Sequence, residues 1–149
     1  MNDKTSVPVI RSMTHKDLPS IIEIDAKLLK RKRPEVWEAK LAQLEKRPSM
    51  YFLVAELDGK VVGFIIGDAS AWEYRVPDNV GWIDTIGIHP EFQEKGIAKM
   101  LMTELINLLK NRGITHINTF VNWRELELLK FFAGSGFERG ALLNLELKV

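Results

Sequence analysis

Residues 95–112 carry apolar side chains at positions 97, 98, 101, 102, 105, 106, 108 and 109, a helical stripe wide enough to imply burial on more than one side. No other segment constrains the fold so tightly. Gly113 stops this helix, as a residue free to adopt the left-handed conformation does. Ahead of it, residues 80–88 (VGWIDTIGI) form an apolar strand whose run ends at Pro90. A strand, a short turn and a buried helix therefore follow one another here.

The remaining elements fall into place around this unit. Residues 50–57 (MYFLVAEL) and 60–67 (KVVGFIIG) read as two strands joined by Asp58-Gly59, the strongest short hairpin signal. Residues 7–13 form an edge strand that tolerates Pro8. Thr14 with Asp17 resembles a capping arrangement for a helix running to about Leu29 with Leu18, Ile21, Ile22, Ile24 and Leu28 at helical spacing. Pro34 opens a second helix to about Lys46. After residue 113, a strand over 115–121, a short helix over 124–133 and closing strands around Phe137 and over 142–148 are expected. The fold class is α+β (mixed α/β), a mostly antiparallel sheet of about six or seven strands flanked by about four helices.

Composition narrows what such a chain can do. At 149 residues without a repeat or a Pro/Gly/Ser linker, it is expected to be one domain, 1–149. Lys plus Arg number 21 against 20 Asp plus Glu, so no global field steers nucleic acid or an anionic membrane and any anion site is local. There is no Cys, which removes disulfides and thiol nucleophiles, and the three His are widely spaced, so no metal centre is expected. No signal peptide or membrane span is evident in the sequence, and a cytoplasmic protein without nucleic-acid or membrane partners is expected.

Chemistry concentrates in Gln93-Glu94-Lys95-Gly96-Ile97-Ala98. Free amides at a helix start, the positive end of the helix dipole and a glycine permitting close approach make an anion site that suits pyrophosphate. The spacing lacks the Gly-Lys-Ser/Thr ending of a Walker loop and the three glycines of a dinucleotide fingerprint. Ile88-His89-Pro90 followed by Gln-x-x-Gly-x-Ala resembles the pyrophosphate-binding signature of the GNAT superfamily of acyl-CoA-dependent N-acyltransferases, and Gly136-Phe137 matches the Gly-Phe after that family's last helix.

The resemblance covers nearly the whole chain and implies an N-acetyltransferase using acetyl-CoA. The acceptor implied is a primary amine, on a small molecule or on a protein or peptide, attacking directly in a ternary complex. By the same resemblance Gln93, Glu94, Lys95, Gly96, Ile97, Ala98 and Lys99 hold the CoA pyrophosphate. Ile86, Gly87 and Ile88 pair with the pantetheine amides as a pseudo-strand, and Asn122 and Phe131 complete the cofactor contacts.

The proton chemistry is less regular. Many relatives carry a Tyr four residues before the Gly of Gly-Phe to protonate the leaving thiolate, and that position is Phe132 here. An acidic residue on the preceding strand is replaced by Phe120, and an Asn by Glu125. Asp84 is the expected base, since strict alternation puts it on the face of Trp82, Ile86 and Ile88, where a carboxylate is partly desolvated. Tyr74, beside Glu73 in the loop before that strand, is a second catalytic candidate, and Trp72 a candidate lining residue. His89 reads as a solvated turn histidine, and Lys30-Arg31-Lys32-Arg33 as a solvated helix end. The alternative function is a CoA-binding regulatory or sensor domain that has lost turnover. Either a monomer or a homodimer is compatible with the sequence.

Overall fold

In a computed structural model of the chain, residues 6–70 and 79–149 are described. The elements are β1 (Val9–Ser12), α1 (Leu18–Leu29), α2 (Pro34–Lys46), β2 (Met50–Leu57), β3 (Lys60–Asp68), β4 (Val80–Ile88), α3 (Ile97–Asn111), β5 (His116–Thr119) and α4 (Leu126–Gly134). The strands form one sheet in the order β1-β2-β3-β4-β5, antiparallel throughout except that β5 lies parallel to β4. Among the described residues, five strands and four helices make the mixed α+β architecture expected, with fewer strands than the six or seven expected. Residues 137–149 are in no strand, although their alternation reads as one, because no neighbouring strand accepts their backbone groups.

Local chemistry explains the boundaries. Asp58 and Gly59 both take positive φ, 50° and 77°, the primed turn that matches the twist of a two-residue hairpin. Thr14 and Asp17 form the reciprocal capping pair before α1, and Pro34 occupies the first turn of α2, where its missing N–H costs nothing.

The sheet is buried on both faces. On one, α3 and α4 cover Leu53, Ala55, Val62, Ile65, Ile83 and Ile88. On the other, α1 and α2 cover Phe52, Val54, Val61, Phe64 and Ile66, with Trp37 set edge-on against Phe64 at 4.9 Å. That double cover is why β3 is apolar almost without interruption. The helix α3 lies close on the sheet because Gly67 has no side chain there. A Cβ at Gly67 would come within 2.7 Å of Leu105 Cδ1.

Two buried carboxylates anchor the helical layer. The Arg11 guanidinium donates to both oxygens of Asp17 at 2.8 Å and to Glu56 at 2.6 Å. This pairing holds Asp17 below the usual carboxylate range against the upward push of burial. In α1, burial pushes Asp25 up, but Arg33, donating from Nε at 2.8 Å and Nη2 at 2.9 Å, outweighs it and leaves the carboxyl below its ordinary value. The buried Trp37 indole N–H, which has no partner in hydrogen-bonding geometry, also favours the charged form of Asp25.

Two outcomes follow. Leu105, fully buried in α3, is expected on truncation to alanine to lose about 2–5 kcal/mol of stability, read from urea unfolding. Because Asp17 and Asp25 titrate lower in the folded chain than in the unfolded one, their contribution is fully present above the unfolded carboxylate value of about 3.9 and is lost as pH falls through the folded values. Urea midpoints measured through that acid range should fall more shallowly in Asp25→Asn than in the parent chain.

Candidate active site

The site begins with a flaw in the β3–β4 ladder. Ile66 pairs with Thr85 and Gly67 with Ile83, so Asp84 has no partner across the ladder and forms a bulge. The extra residue resets the alternation. Ile83 and Ile86, three apart, both reach the α3 face, whereas Gly87 faces Phe64 and Leu28 on the other. Strict alternation from Trp82 to Ile88 therefore fails, and Asp84 does not share a face with Ile86 and Ile88.

Nor is Asp84 desolvated. Its side chain is 43% exposed and accepts a hydrogen bond from Lys40 Nζ of α2 at 2.5 Å. An ion pair this exposed contributes little stability, of order 0–1 kcal/mol, but it fixes where the carboxylate points.

The same bulge divides β4 from β5. Their parallel pairing runs from Val80–His116 to Ile83–Thr119 and stops there, with Thr119 Oγ1 donating to the Ile83 carbonyl at 3.1 Å. Beyond that point β5 gives way to Phe120, and among the described residues no strand lies beside the β4 edge over 84–88. A cleft of about 380 Å³ opens at the divergence. Asp25, Arg33, Asp84 and Glu125 supply its charged groups, and Ile86, Phe120 and Phe132 part of its apolar wall. A larger, open depression of about 830 Å³ on the outer surface of α1, lined in part by Lys27, Lys30, Arg31 and Lys32, does not reach β4. We therefore place the site in the smaller cleft, where strand edge, bulge and titratable groups converge.

Following β4, the chain makes a single helical turn over Pro90–Phe92 and enters α3. Gln93 Nε2 donates to the Ile88 carbonyl at 3.1 Å, tying the turn to the strand end. Glu94 and Gly96 take positive φ, 62° and 80°. A Cβ at Gly96 would meet nothing within 4 Å, so conformation and open approach, not packing, call for glycine there. The backbone amides of Gln93, Glu94, Lys95, Gly96, Ile97, Ala98 and Lys99 donate to no protein acceptor. That run of free donors at the positive end of a fifteen-residue helix has the chemistry that suits an anion. Lys95 and Lys99 are both exposed beside it.

His89 is not the solvated residue that its turn position suggests. It is buried, its ring lies edge-on to Phe92 at 5.4 Å, and its Nδ1 accepts the Glu91 N–H at 3.1 Å. It shapes the turn. Phe132 is buried between Phe131 and Phe137, at 5.4 and 5.0 Å, with its ring on the cleft wall. Phe131 is half-buried on the α3 side. Asn122 spends its Oδ1 on the Arg124 N–H in a turn, and Phe120, although exposed, lies at 5.3 Å from Trp82. Tyr74, Glu73 and Trp72 lie outside the described residues.

Three groups escaped the sequence reading. Asp25 sits four residues after Ile21 and three before Leu28 on the buried stripe of α1, and a carboxylate on such a stripe demands a partner. Arg33, within the run read as solvated, is that partner. Lys40 meets Asp84 across 44 residues of sequence, and no local signal marks it.

Residues 18–137 match the acetyltransferase (GNAT) family. The chain belongs to that family. It is 29% identical over 137 residues to an uncharacterized N-acetyltransferase of Methanocaldococcus jannaschii, a match covering 87% of this chain and 60% of that protein. The chain thus spans about three fifths of the length of that curated relative. Among solved structures, an aminoglycoside N-acetyltransferase, AAC(6')-Iy in complex with CoA, superposes with a TM-score of 0.84 at 18% identity, over 99% of each chain. A ribosomal-protein-alanine N-acetyltransferase from Brucella melitensis does so with a TM-score of 0.74 at 19% identity, over 87% of this chain and 84% of that one. At these identities the GNAT fold is shared, and the acceptors differ among its bearers.

If the amide run of this GNAT chain holds the CoA pyrophosphate, a direct expectation follows. Gly96→Asp should fold normally, since the new side chain meets no atom and Asp tolerates positive φ better than most residues. It should nonetheless weaken CoA binding by calorimetry about 10²-fold or more, through like-charge repulsion of pyrophosphate. Gly96→Asn, of the same size and uncharged, should lose much less.

Proposed function

We propose that this chain transfers an acetyl group from acetyl-CoA to a primary amine by direct attack within a ternary complex. The observation that carries the proposal is the continuity of the free β4 edge, opened by the Asp84 bulge, with the seven unpaired amides of residues 93–99. A ligand that is peptide-like along one half and a pyrophosphate along the other suits both parts. The CoA-bound aminoglycoside acetyltransferase of the same fold supports that choice. In this reading the amides of 93–99, with Lys95 and Lys99, hold the pyrophosphate, and Ile86, Gly87 and Ile88 offer backbone partners to the pantetheine amides. Phe131 packs beside that arm, and Asn122 takes part through its turn. CoA brings an activated acetyl thioester to the divergence of β4 and β5.

The residues around the cleft favour a cationic acceptor. Asp25, Asp84 and Glu125 bring three carboxylates against two cations, Arg33 and the Lys40 that pairs with Asp84, a local excess of negative charge that draws an ammonium group. Deprotonating an amine of pKa about 10.4 at neutral pH costs about 3 pKa units, roughly 4 kcal/mol. A carboxylate held in place can receive that proton through a water. Asp84, oriented by Lys40 and open to solvent, is assigned that role. With Phe132 in the cleft wall no side chain at that position can give a proton to the departing thiolate, and solvent supplies it.

Two acceptor classes fit, a small-molecule amine and a protein or peptide amine. The buried phenyl ring of Phe132 also favours a second reading, a CoA-binding regulatory domain without turnover. Release of free CoA thiol with a panel of amines and peptides separates the two. Turnover with any amine supports the enzyme, and CoA binding without thiol release across the panel supports the regulator.

With an acceptor in hand, Asp84→Asn is expected to keep CoA affinity within a few fold and to lower turnover by about 10² or more. Parent-level turnover in Asp84→Asn would remove the base assignment. Phe132→Tyr should change turnover by less than about 10-fold, since the position has no partner arranged for a donor.

A further inference from the structure

Arg33 holds Asp25 with only one side of its guanidinium. Both hydrogen bonds come from the side-on fork, Nε and Nη2. An arginine has a second fork, formed by Nη1 and the outer N–H of Nη2, which points away from a carboxylate bound to the first. Among the described residues no acceptor meets that second fork. The group is nonetheless held still. Pro34 keeps residue 33 out of the helical conformation, at φ −144° and ψ 62°, and from there the side chain turns back to Asp25 of α1. The Asp25 side chain is 7% exposed and that of Arg33 29%. A half-buried guanidinium fixed on one fork and open on the other is a preorganised receptor for a planar anion.

Its place in the cleft decides what that anion belongs to. Arg33 lines the same cleft as Asp84 and Glu125, and the charges there are unevenly spread. Asp25 is matched by Arg33 and Asp84 by Lys40, so the unmatched carboxylate is that of Glu125, at the start of α4. Around Arg33 the balance is reversed. The run Lys30-Arg31-Lys32-Arg33 sets four cations against Asp25 and Glu35, and Lys30, Arg31 and Lys32 continue the positive surface into the open depression along α1. The cleft thus has a cationic end at Arg33 and an anionic end at Asp84 and Glu125. A plain amine uses only the second. A molecule with an ammonium group and a carboxylate uses both, and its carboxylate matches the bidentate geometry of the open fork.

We infer that the acceptor amine belongs to a molecule that also carries a carboxylate, and that the open fork of Arg33 binds this carboxylate while the amine lies toward Asp84. For the role of Asp84 this rests on the acetyl-transfer reading; the anion at Arg33 rests on geometry alone. Arg33 is then a specificity-determining residue, since a bound carboxylate fixes where the amine can stand without itself reacting. An amino acid and the amine of an acidic peptide share this chemistry. In a peptide, further carboxylates would lie over Lys30, Arg31 and Lys32, which are all exposed.

The test is calorimetry on the full chain saturated with CoA, using ligands in matched pairs. Glycine, β-alanine, γ-aminobutyrate and ε-aminocaproate are compared with their carboxamides, a series that varies the distance from amine to carboxylate. The peptide amides Ala-Glu-Glu and Ala-Gln-Gln form a further pair. At least one acid is expected to bind about 10-fold or more tighter than its uncharged partner. In Arg33→Lys, which can still pair with Asp25 but has no second fork, that ratio should fall below about 3. Asp25→Asn with Arg33→Gln, a neutral pair of similar shape, should abolish it. Because the ratio is taken within one protein, a loss of stability or of CoA affinity cancels, and a merely structural Arg33 would leave it unmoved. A preference confined to the amino acids or to the peptide supports the inference and identifies the source of the carboxylate. Equal affinity within every pair, no measurable binding of any acid, or a ratio that survives both variants overturns it. Thiol release from acetyl-CoA with the preferred acid is read separately: preference without release leaves the carboxylate site standing and removes the acetyl-transfer reading.

Discussion

A sheet covered on both faces by helices has few places where a ligand can reach its backbone, and here the unmatched residue Asp84 creates one. Up to Ile83 the strand β4 pairs with β5, and from Thr85 onward it pairs with β3 alone. A single extra residue both bends the strand and ends one of its two partnerships. The cleft, the free backbone edge and the outward carboxylate all follow from that one insertion. Without it Asp84 would continue the alternation of the strand, and the β4–β5 ladder would have no reason to stop at Ile83.

The bulge would be of little use if the strand led nowhere. It leads to a turn whose conformation is set by residues of quite different kinds. Buried His89 accepts from the backbone, Gln93 clamps the strand end, and Gly96 takes a left-handed conformation that leaves the helix start open. Each prevents a free amide from being consumed internally. The Leu105–Gly67 contact does comparable work at a distance, because it sets how near the whole of α3, and with it the amide run, stands to the sheet. Packing in the core thus positions the polar end of the helix relative to the β4 edge.

Much of this was legible in the sequence. The hairpin at Asp58-Gly59, the proline start of α2, the capping pair before α1 and the buried stripe of α3 each rest on interactions between residues close in the chain, and each lies where expected. The amide run was legible for the same reason, since a glycine before an apolar helix is a local signal. The orientation of Asp84 was not. It depends on a count of residues in β3 against β4, and nothing in VGWIDTIGI announces that the partner strand is one residue short. Lys40 escaped because its partner lies across the fold. The closing strand expected over 142–148 does not form: alternation reports that a segment has an apolar face and is silent on which surface covers it.

Charge shows how the parts fit together. With a net charge of +1 the chain as a whole offers no pull on an anionic or a cationic ligand, so discrimination has to come from arrangement. The two ends of the site are opposite in character. At the start of α3, seven uncommitted amides and the helix dipole favour negative charge; in the β4–β5 cleft, three carboxylates face two cations, Arg33 and Lys40. These tendencies survive side by side because Arg33 and Lys40 neutralise the carboxylates only in part and hold them in position, and neither cation reaches the amide run. A transfer between an anionic donor and a cationic acceptor needs such polarity along one slot, so that each partner is favoured at its own end and disfavoured at the other. Removing Lys40 would therefore loosen Asp84 and deepen the negative end at once, strengthening attraction for the proposed cationic acceptor while weakening the positioning that the proposed proton removal needs.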